Sequence, residues 1–92
     1  MTEFEVQVQI CNLCDSLLRN INDNFKNVSF DILGNGNIQV KIILENQSEE
    51  EDEYIDDISA EFSATQESNI VEKFEVVTDN TEPRTYIVYN RE

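Results

Sequence analysis

Residues 28–44 read VSFDILGNGNIQVKIIL, and this segment carries the clearest structural signal of the chain. Apolar and polar side chains alternate on both sides of a central Gly-Asn-Gly-Asn, which is the period of strands that bury one face. Asn35-Gly36 supplies the positive φ angles of a type I′ turn, whose twist matches that of paired strands. The segment therefore predicts an antiparallel hairpin with strands over residues 28–32 and 38–44.

A helix is predicted before this hairpin, over about residues 3–25. It would begin with a capping box, Thr2-x-x-Glu5, in which each side chain satisfies an amide of the first turn. The apolar residues that follow at helical spacing are Val6, Ile10, Leu13, Leu17, Ile21 and Phe25. Residues 4–10 also alternate, so a short strand followed by a helix that begins near Asn12 is the competing prediction.

The residues after the hairpin predict a second helix and two further strands. Ser48-x-x-Glu51 is another capping box, and it opens a helix over about residues 49–64. The apolar stripe of this helix consists of Tyr54, Ile55, Ile58 and Phe62. Two strands, residues 70–78 and 85–90, follow on either side of a turn cluster.

These elements define the fold class as α+β in the order α-β-β-α-β-β. The economical arrangement is a two-layer sandwich, a four-stranded antiparallel sheet with two helices on one face. Residues 1–92 are predicted to form a single domain, because the chain is too short for a second core. Its pseudo-halves, 1–46 and 47–92, share the order of caps, strands and turns.

The formal charge of −14 is unevenly distributed. Residues 1–46 contain six acids and three bases, whereas residues 47–92 contain fourteen acids and three bases. The bases are scattered singly, so direct binding of nucleic acid or of an anionic membrane is disfavoured. No apolar stretch approaches the ~20 residues that span a bilayer, and residues 1–5 do not resemble a signal peptide. We expect a cytoplasmic protein.

Nine carboxylates and no basic residue lie between Glu45 and Glu61. On the second helix they would form rows in which neighbours are roughly 6 Å apart, and like charges at this spacing repel one another. One hypothesis is a partner-binding face made of Glu49, Glu50, Glu51, Asp52, Glu53, Tyr54, Asp56, Asp57 and Glu61. The alternatives are the solvated side of an amphipathic helix and a partly disordered acidic loop.

Motifs that carry chemistry are sparse. Cys11 and Cys14 form a C-x-x-C pair, but without another cysteine or any histidine one chain cannot complete a zinc site. Burial of both in the core is the simpler interpretation. The acidic run lacks the pattern of a calcium loop, and no P-loop or dinucleotide motif is present. We therefore predict no enzymatic activity, no cofactor and no metal site.

The sheet face that the helices leave uncovered is predicted to carry its own apolar group. Its members are Ile43, Val71, Val77, Ile87 and Tyr89. Apolar side chains near solvent indicate a partner or self-association surface unless loops cover them.

Two hypotheses of function result. The first is a non-enzymatic inhibitor that offers its acidic helix to the basic surface of another protein, one that binds nucleic acid. In size and composition the chain is similar to phage anti-defence proteins, namely anti-CRISPR, anti-restriction and nucleic-acid-mimic proteins, although no family motif is present. The alternative is an acidic adaptor, chaperone or toxin-immunity protein that forms a homodimer and binds through the apolar face of its sheet.

Overall fold

A computed structural model describes residues 3–18, 20–34, 37–66, 71–78 and 81–91 of the chain. The predicted order α-β-β-α-β-β is confirmed. The elements are α1 (Glu3–Leu18), β1 (Phe25–Ile32), β2 (Ile38–Leu44), α2 (Glu49–Ala64), β3 (Glu72–Val77) and β4 (Tyr86–Asn90).

The first helix begins at Glu3, so the competing prediction of a strand at residues 4–10 is wrong. The predicted extension to residue 25 is also wrong, because Phe25 is the first residue of β1. An Asn-rich turn lies between α1 and β1, and in it the Asn22 side chain accepts a hydrogen bond from the Asn24 backbone amide at 3.0 Å. At the end of the helix itself, Asn20 donates its backbone amide to the carbonyl of Leu17 at 3.0 Å and its side-chain amide to the carbonyl of Ser16 at 2.9 Å, which satisfies carbonyls of the last turn. Thr2 of the first capping box lies outside the described residues.

The second helix confirms its predicted bounds. Ser48 is its N-cap, with an extended backbone, but its side chain caps no backbone amide. Instead the Ser48 hydroxyl donates to the carboxylate of Glu51 at 3.0 Å. The capping box is therefore only half formed, because Glu51 reaches back to the cap whereas Ser48 does not reach forward.

The hairpin is confirmed, and the prediction of a purely antiparallel sheet is wrong. The strand order is β3-β2-β1-β4. β1 pairs antiparallel with β2 and β4, whereas β2 and β3 run parallel. The chain leaves β2, crosses the sheet through α2 and returns beside β2, and this connection sets the two strands parallel. Asn35 and Gly36 of the predicted turn lie outside the described residues.

Both helices pack on the same face of the mixed sheet, as predicted. Leu13 and Leu17 of α1 and Ile58 and Phe62 of α2 lie in one buried cluster with strand residues. The strand residues of this cluster are Phe25, Val28, Phe30, Ile38, Val40, Ile42 and Leu44. Burial of each such side chain contributes about 1.5–3 kcal/mol.

One predicted face assignment, that of Tyr89, is wrong. The register of β1 and β4 shifts, so that Val28 pairs with Tyr89 and Ser29 pairs with Ile87. This bulge puts Tyr89 on the helix side with Val28, where it packs against the core. Ile87 remains on the outer face of the sheet.

Candidate partner-binding surface

The outward side of α2 is a continuous surface of carboxylates, which we call the acidic face. Its six exposed residues are Glu49, Glu50, Asp52, Glu53, Asp56 and Asp57. α2 contains no basic residue. Within the described parts of the chain, none of these carboxylates forms an ion pair. Two of them accept hydrogen bonds from neutral amides, Glu50 from Asn22 at 3.3 Å and Asp52 from Gln47 at 2.7 Å. The charge of the acidic face is therefore presented to solvent without a counter-ion among the described residues.

Glu51 was predicted to belong to this surface, but it points inward and is only 1% exposed. Its carboxylate accepts hydrogen bonds from the side-chain amides of Asn22 at 3.0 Å and Asn24 at 2.9 Å, together with the hydroxyl of Ser48. The hydrogen bond from Asn22 is the main cause that lowers the pKa of Glu51, with Ser48 and Asn24 adding to it. Glu51 is therefore an anchor of the helix N-terminus, where the helix dipole also favours negative charge.

Tyr54 and Glu61 likewise attach α2 to the rest of the molecule. Tyr54 is half-buried and packs against the core. Glu61 is half-buried and accepts a hydrogen bond of 2.6 Å from the side chain of Asn20. The nine residues of the sequence hypothesis thus divide by position, with six on the outward face and three that hold the helix in place.

A second feature of the helices was missed by the sequence analysis. Phe4 and Leu18 of α1 are 76% and 80% exposed, and Val8 is 39% exposed. Cys11, also exposed, lies on the same side of the helix. We call these four residues the α1 stripe. The missed signal is the spacing of positions 4, 8, 11 and 18, because it defines a second apolar line opposite the buried one.

The prediction that both cysteines are buried is wrong for Cys11. Cys14 is half-buried, and its thiol donates to the carbonyl of Val88 at 3.9 Å. Burial, and secondarily the neighbouring Cys11, raises the pKa of the Cys14 thiol. Within the described residues, no group of three or more His, Cys, Asp or Glu side chains could hold a metal ion. Nor does any helix of the described chain have the length and apolarity to cross a membrane.

The outer face of the sheet is crossed by the segment that leads into β4. The amide of Arg84 donates to Ser29 at 2.7 Å, and its guanidinium pairs with Asp31 at 3.3 Å and Glu75 at 3.1 Å. The amide of Thr85 donates to Asp31 at 2.9 Å. Hydrogen bonding from Thr85 is the main cause that lowers the pKa of Asp31, and Arg84 lowers it further.

This crossing segment covers part of the predicted self-association group. Ile43 is only 5% exposed, and it lines a cleft of about 460 Å³ together with Pro83 and Ile87. Val77 is half-buried, whereas Ile87 is exposed. Self-association through this face stays a prediction, with Ile87 as its most accessible member.

The two layers of the molecule differ in their balance of charges, because acids and bases are mixed on the sheet side and only acids occur in the helices. α1 and α2, which we call the helix layer, contain eleven acids and no Lys or Arg. The described bases all lie in strands or beside them, and they are Lys26, Lys41, Lys73, Arg84 and Arg91. The helix layer is consequently negative throughout.

A family model for the MafI2 immunity protein matches residues 7–92. The chain therefore belongs to the MafI2 immunity protein family. No curated protein shows a significant match to the chain. Membership of an immunity family implies protein–protein interaction and inhibition. It supports the alternative prediction of a toxin-immunity protein over the main one, and it gives no support to the anti-CRISPR, viral and nucleic-acid-mimic interpretations.

Proposed function

We propose that this protein neutralises a cognate toxin by placing the acidic face of α2 against a basic surface of that toxin. The observation that carries the proposal is the acidic face itself, six exposed carboxylates on a helix without a basic residue. Glu51, Tyr54 and Glu61 support the proposal because they fix the orientation of the helix.

The carboxylates of the acidic face repel one another in the free protein, and this repulsion would be relieved in the complex. Like charges at i, i+4 on a helix repel by roughly 0.2–0.5 kcal/mol per pair, and the acidic face has no internal counter-ions among the described residues. A Lys/Arg-lined surface removes this repulsion when it docks. It also accelerates encounter, by a factor of about 10–1,000 at low salt. Fast capture suits a protein that must bind a toxin before the toxin acts.

The chemistry of the acidic face favours a toxin that acts on nucleic acid. A protein that binds a polyanionic substrate concentrates Lys and Arg in its substrate groove. Carboxylates about 6 Å apart on successive turns of α2 can occupy such a groove in place of phosphates. Inhibition would then be competitive with the nucleic acid.

Charge reversal in the centre of the acidic face tests this proposal. We expect Glu53→Lys to weaken toxin binding about tenfold at low salt, because it removes an attraction and adds a repulsion. The matched control is Glu82→Lys, which has the same net charge and replaces an exposed acid on the sheet side. The measurement is calorimetric titration of the purified toxin at about 50 mM and about 500 mM salt.

The outcomes separate the proposal from general charge effects. The proposal expects the control to bind within about threefold of the unmodified protein, and the Glu53→Lys deficit to shrink at high salt. If both variants weakened toxin binding equally, the loss would come from the change in net charge, and the proposal that the acidic face is the binding site would be wrong. A toxin that binds Glu53→Lys as tightly as the unmodified protein would overturn it as well. Displacement of bound protein by single-stranded RNA or by DNA tests the proposed competition.

A further inference from the structure

The α1 stripe is an apolar line along a helix whose other side is already buried. Its positions 4, 8, 11 and 18 follow the spacing of one helical side, and Asp15 lies on the same line. From Phe4 to Leu18 the line is about 21 Å long, at ~1.5 Å per residue. Spacings of four and three along a narrow line are typical of helix–helix packing.

Two polar side chains lie on the buried side of α1, beside Leu13 and Leu17. Gln9 and Ser16 are buried, whereas Phe4 and Leu18 are the two most exposed large apolar side chains described. Gln9 exchanges hydrogen bonds of 2.8 and 2.7 Å with Gln66 beyond the end of α2. Ser16 donates to the carbonyl of Asn12 at 3.2 Å. The bond from Ser16 lies within α1, whereas the bonds between Gln9 and Gln66 join the buried side of α1 to the end of α2, and the apolar stripe lies on the opposite side.

We infer that the α1 stripe, together with the acidic face of α2, receives an amphipathic helix of the toxin that has an apolar seam and Lys or Arg along its flanks. This inference rests on the proposed function, because it extends the toxin interface from α2 to α1. The α1 stripe supplies the apolar contact, and the acidic face supplies the charge.

Charge complementarity selects this occupant over a second copy of the same chain. Pairing two α1 stripes would oppose two helix layers, each with eleven acids and no base. Salt screens charges that are separated by more than a Debye length, about 8 Å at physiological ionic strength. Charges across an interface are closer than this, so the repulsion between two helix layers would remain. A helix with basic flanks instead meets the carboxylates of α2 with attraction.

Polar substitution of the most exposed stripe residues tests the inference. We expect Phe4→Ser/Leu18→Gln to weaken toxin binding about 30-fold or more. The factor should be similar at low and at high salt, because salt does not screen apolar contacts. The matched control is Val71→Ser/Ile87→Gln, which changes two apolar residues on the sheet side that are 50% and 51% exposed. The control should bind as the unmodified protein does.

Cys11 offers a direct probe of contact, because it is exposed and lies within the α1 stripe. In a Cys14→Ser variant it is the sole thiol of the chain. Its rate of alkylation by a maleimide should fall at least about tenfold when the toxin is saturating. An unchanged rate in the saturated complex would overturn the inference, because the stripe would then remain open to solvent.

The same measurements distinguish failure of this inference from failure of the proposed function. If Phe4→Ser/Leu18→Gln binds normally while Glu53→Lys is weakened, the α1 stripe is outside the interface and only the inference is wrong. If Glu53→Lys binds normally, the proposed function is wrong. Sedimentation equilibrium of the free protein determines whether a second copy of the chain occupies the α1 stripe. A dimer that the stripe variant dissociates would assign the stripe to self-association and overturn the inference.

Discussion

On the outer face of the sheet Arg84 contacts both Asp31 and Glu75, whereas the acidic face of α2 has no ion pair among the described residues. Arg91 beside β4 likewise pairs with Glu45 at 3.4 Å. Lys41 donates to the carbonyl of Glu82 at 2.8 Å. Charges on the sheet side thus join segments of the chain, whereas the six exposed carboxylates of the acidic face have no counter-ion among the described residues.

The described acids therefore fall into two groups, those that bond within the protein and those of the acidic face, which have no counter-ion among the described residues. A partly exposed ion pair that joins two segments of the chain contributes a modest amount to stability. A carboxylate without a counter-ion repels its like-charged neighbours on the helix, and beyond the first turn the helix dipole offsets little of this repulsion. Its retention is understandable if binding requires it, since functional surfaces commonly reduce stability.

The sharpest exception on the helix side is Glu51, whose replacement should have the largest effect on stability. We expect Glu51→Gln to lower the free energy of unfolding, because the new amide places its NH₂ group against donors from Asn22, Asn24 and Ser48. The control is Glu53→Gln, the same change two residues later at an exposed site. Urea unfolding followed by circular dichroism measures both.

The pH dependence of the free energy of unfolding gives an independent check on the role of Glu51. Because hydrogen bonds lower the pKa of Glu51 in the folded protein, its carboxylate stabilises the fold at any pH above the ordinary glutamate value of about 4.3. That contribution decreases as the pH falls below this value toward the folded pKa. The gap between the unmodified protein and Glu51→Gln should therefore be constant near neutral pH and should narrow in acid. A gap that widens in acid would contradict the hydrogen-bonding explanation.

Arg84→Met should have an intermediate effect and should affect stability alone. The guanidinium is partly exposed, at 27%, and its Nε has no hydrogen-bond partner in the described structure, so we expect a loss of about 1 kcal/mol. Toxin affinity should remain unchanged, because the substitution is on the sheet side. Urea unfolding and calorimetric titration measure the two quantities. If a folded Arg84→Met variant bound the toxin more weakly, the interface would lie on the sheet side and not on the helix side as proposed.

The parts of the fold that could be predicted depend on short-range patterns. The hairpin and α2 follow from alternation and from an apolar stripe, both of which are complete within one segment. The parallel pairing of β3 does not, because it depends on where the chain returns after α2. Tyr89 was misplaced because a single bulge shifts the residues beyond it to another face, and alternation gives no sign of a bulge.

The candidate site shows the same limit. Exposed charge on α2 was predictable from composition, since a row of carboxylates has few other places to lie. The inward orientation of Glu51 was not, because its partners Asn22 and Asn24 are 29 and 27 residues away in the chain. The buried line of α1 was predictable, since Leu13 and Leu17 fall in its apolar spacing, whereas the exposure of Phe4 and Leu18 depends on which other segments pack beside the helix.

The smallest expected effect is also the one that separates stability from binding most clearly. Glu53→Lys places a base four residues after Glu49 and four residues before Asp57, where it can pair with either acid. We expect the free energy of unfolding to rise by about 0.5 kcal/mol at low salt while toxin affinity falls. Urea unfolding at low and high salt, compared with Glu82→Lys, measures the gain. A loss of stability would mean that Glu53 already has a favourable environment in the free protein. The acidic face would then serve the fold, as the outer face of the sheet does, and the contrast between the two sides would disappear.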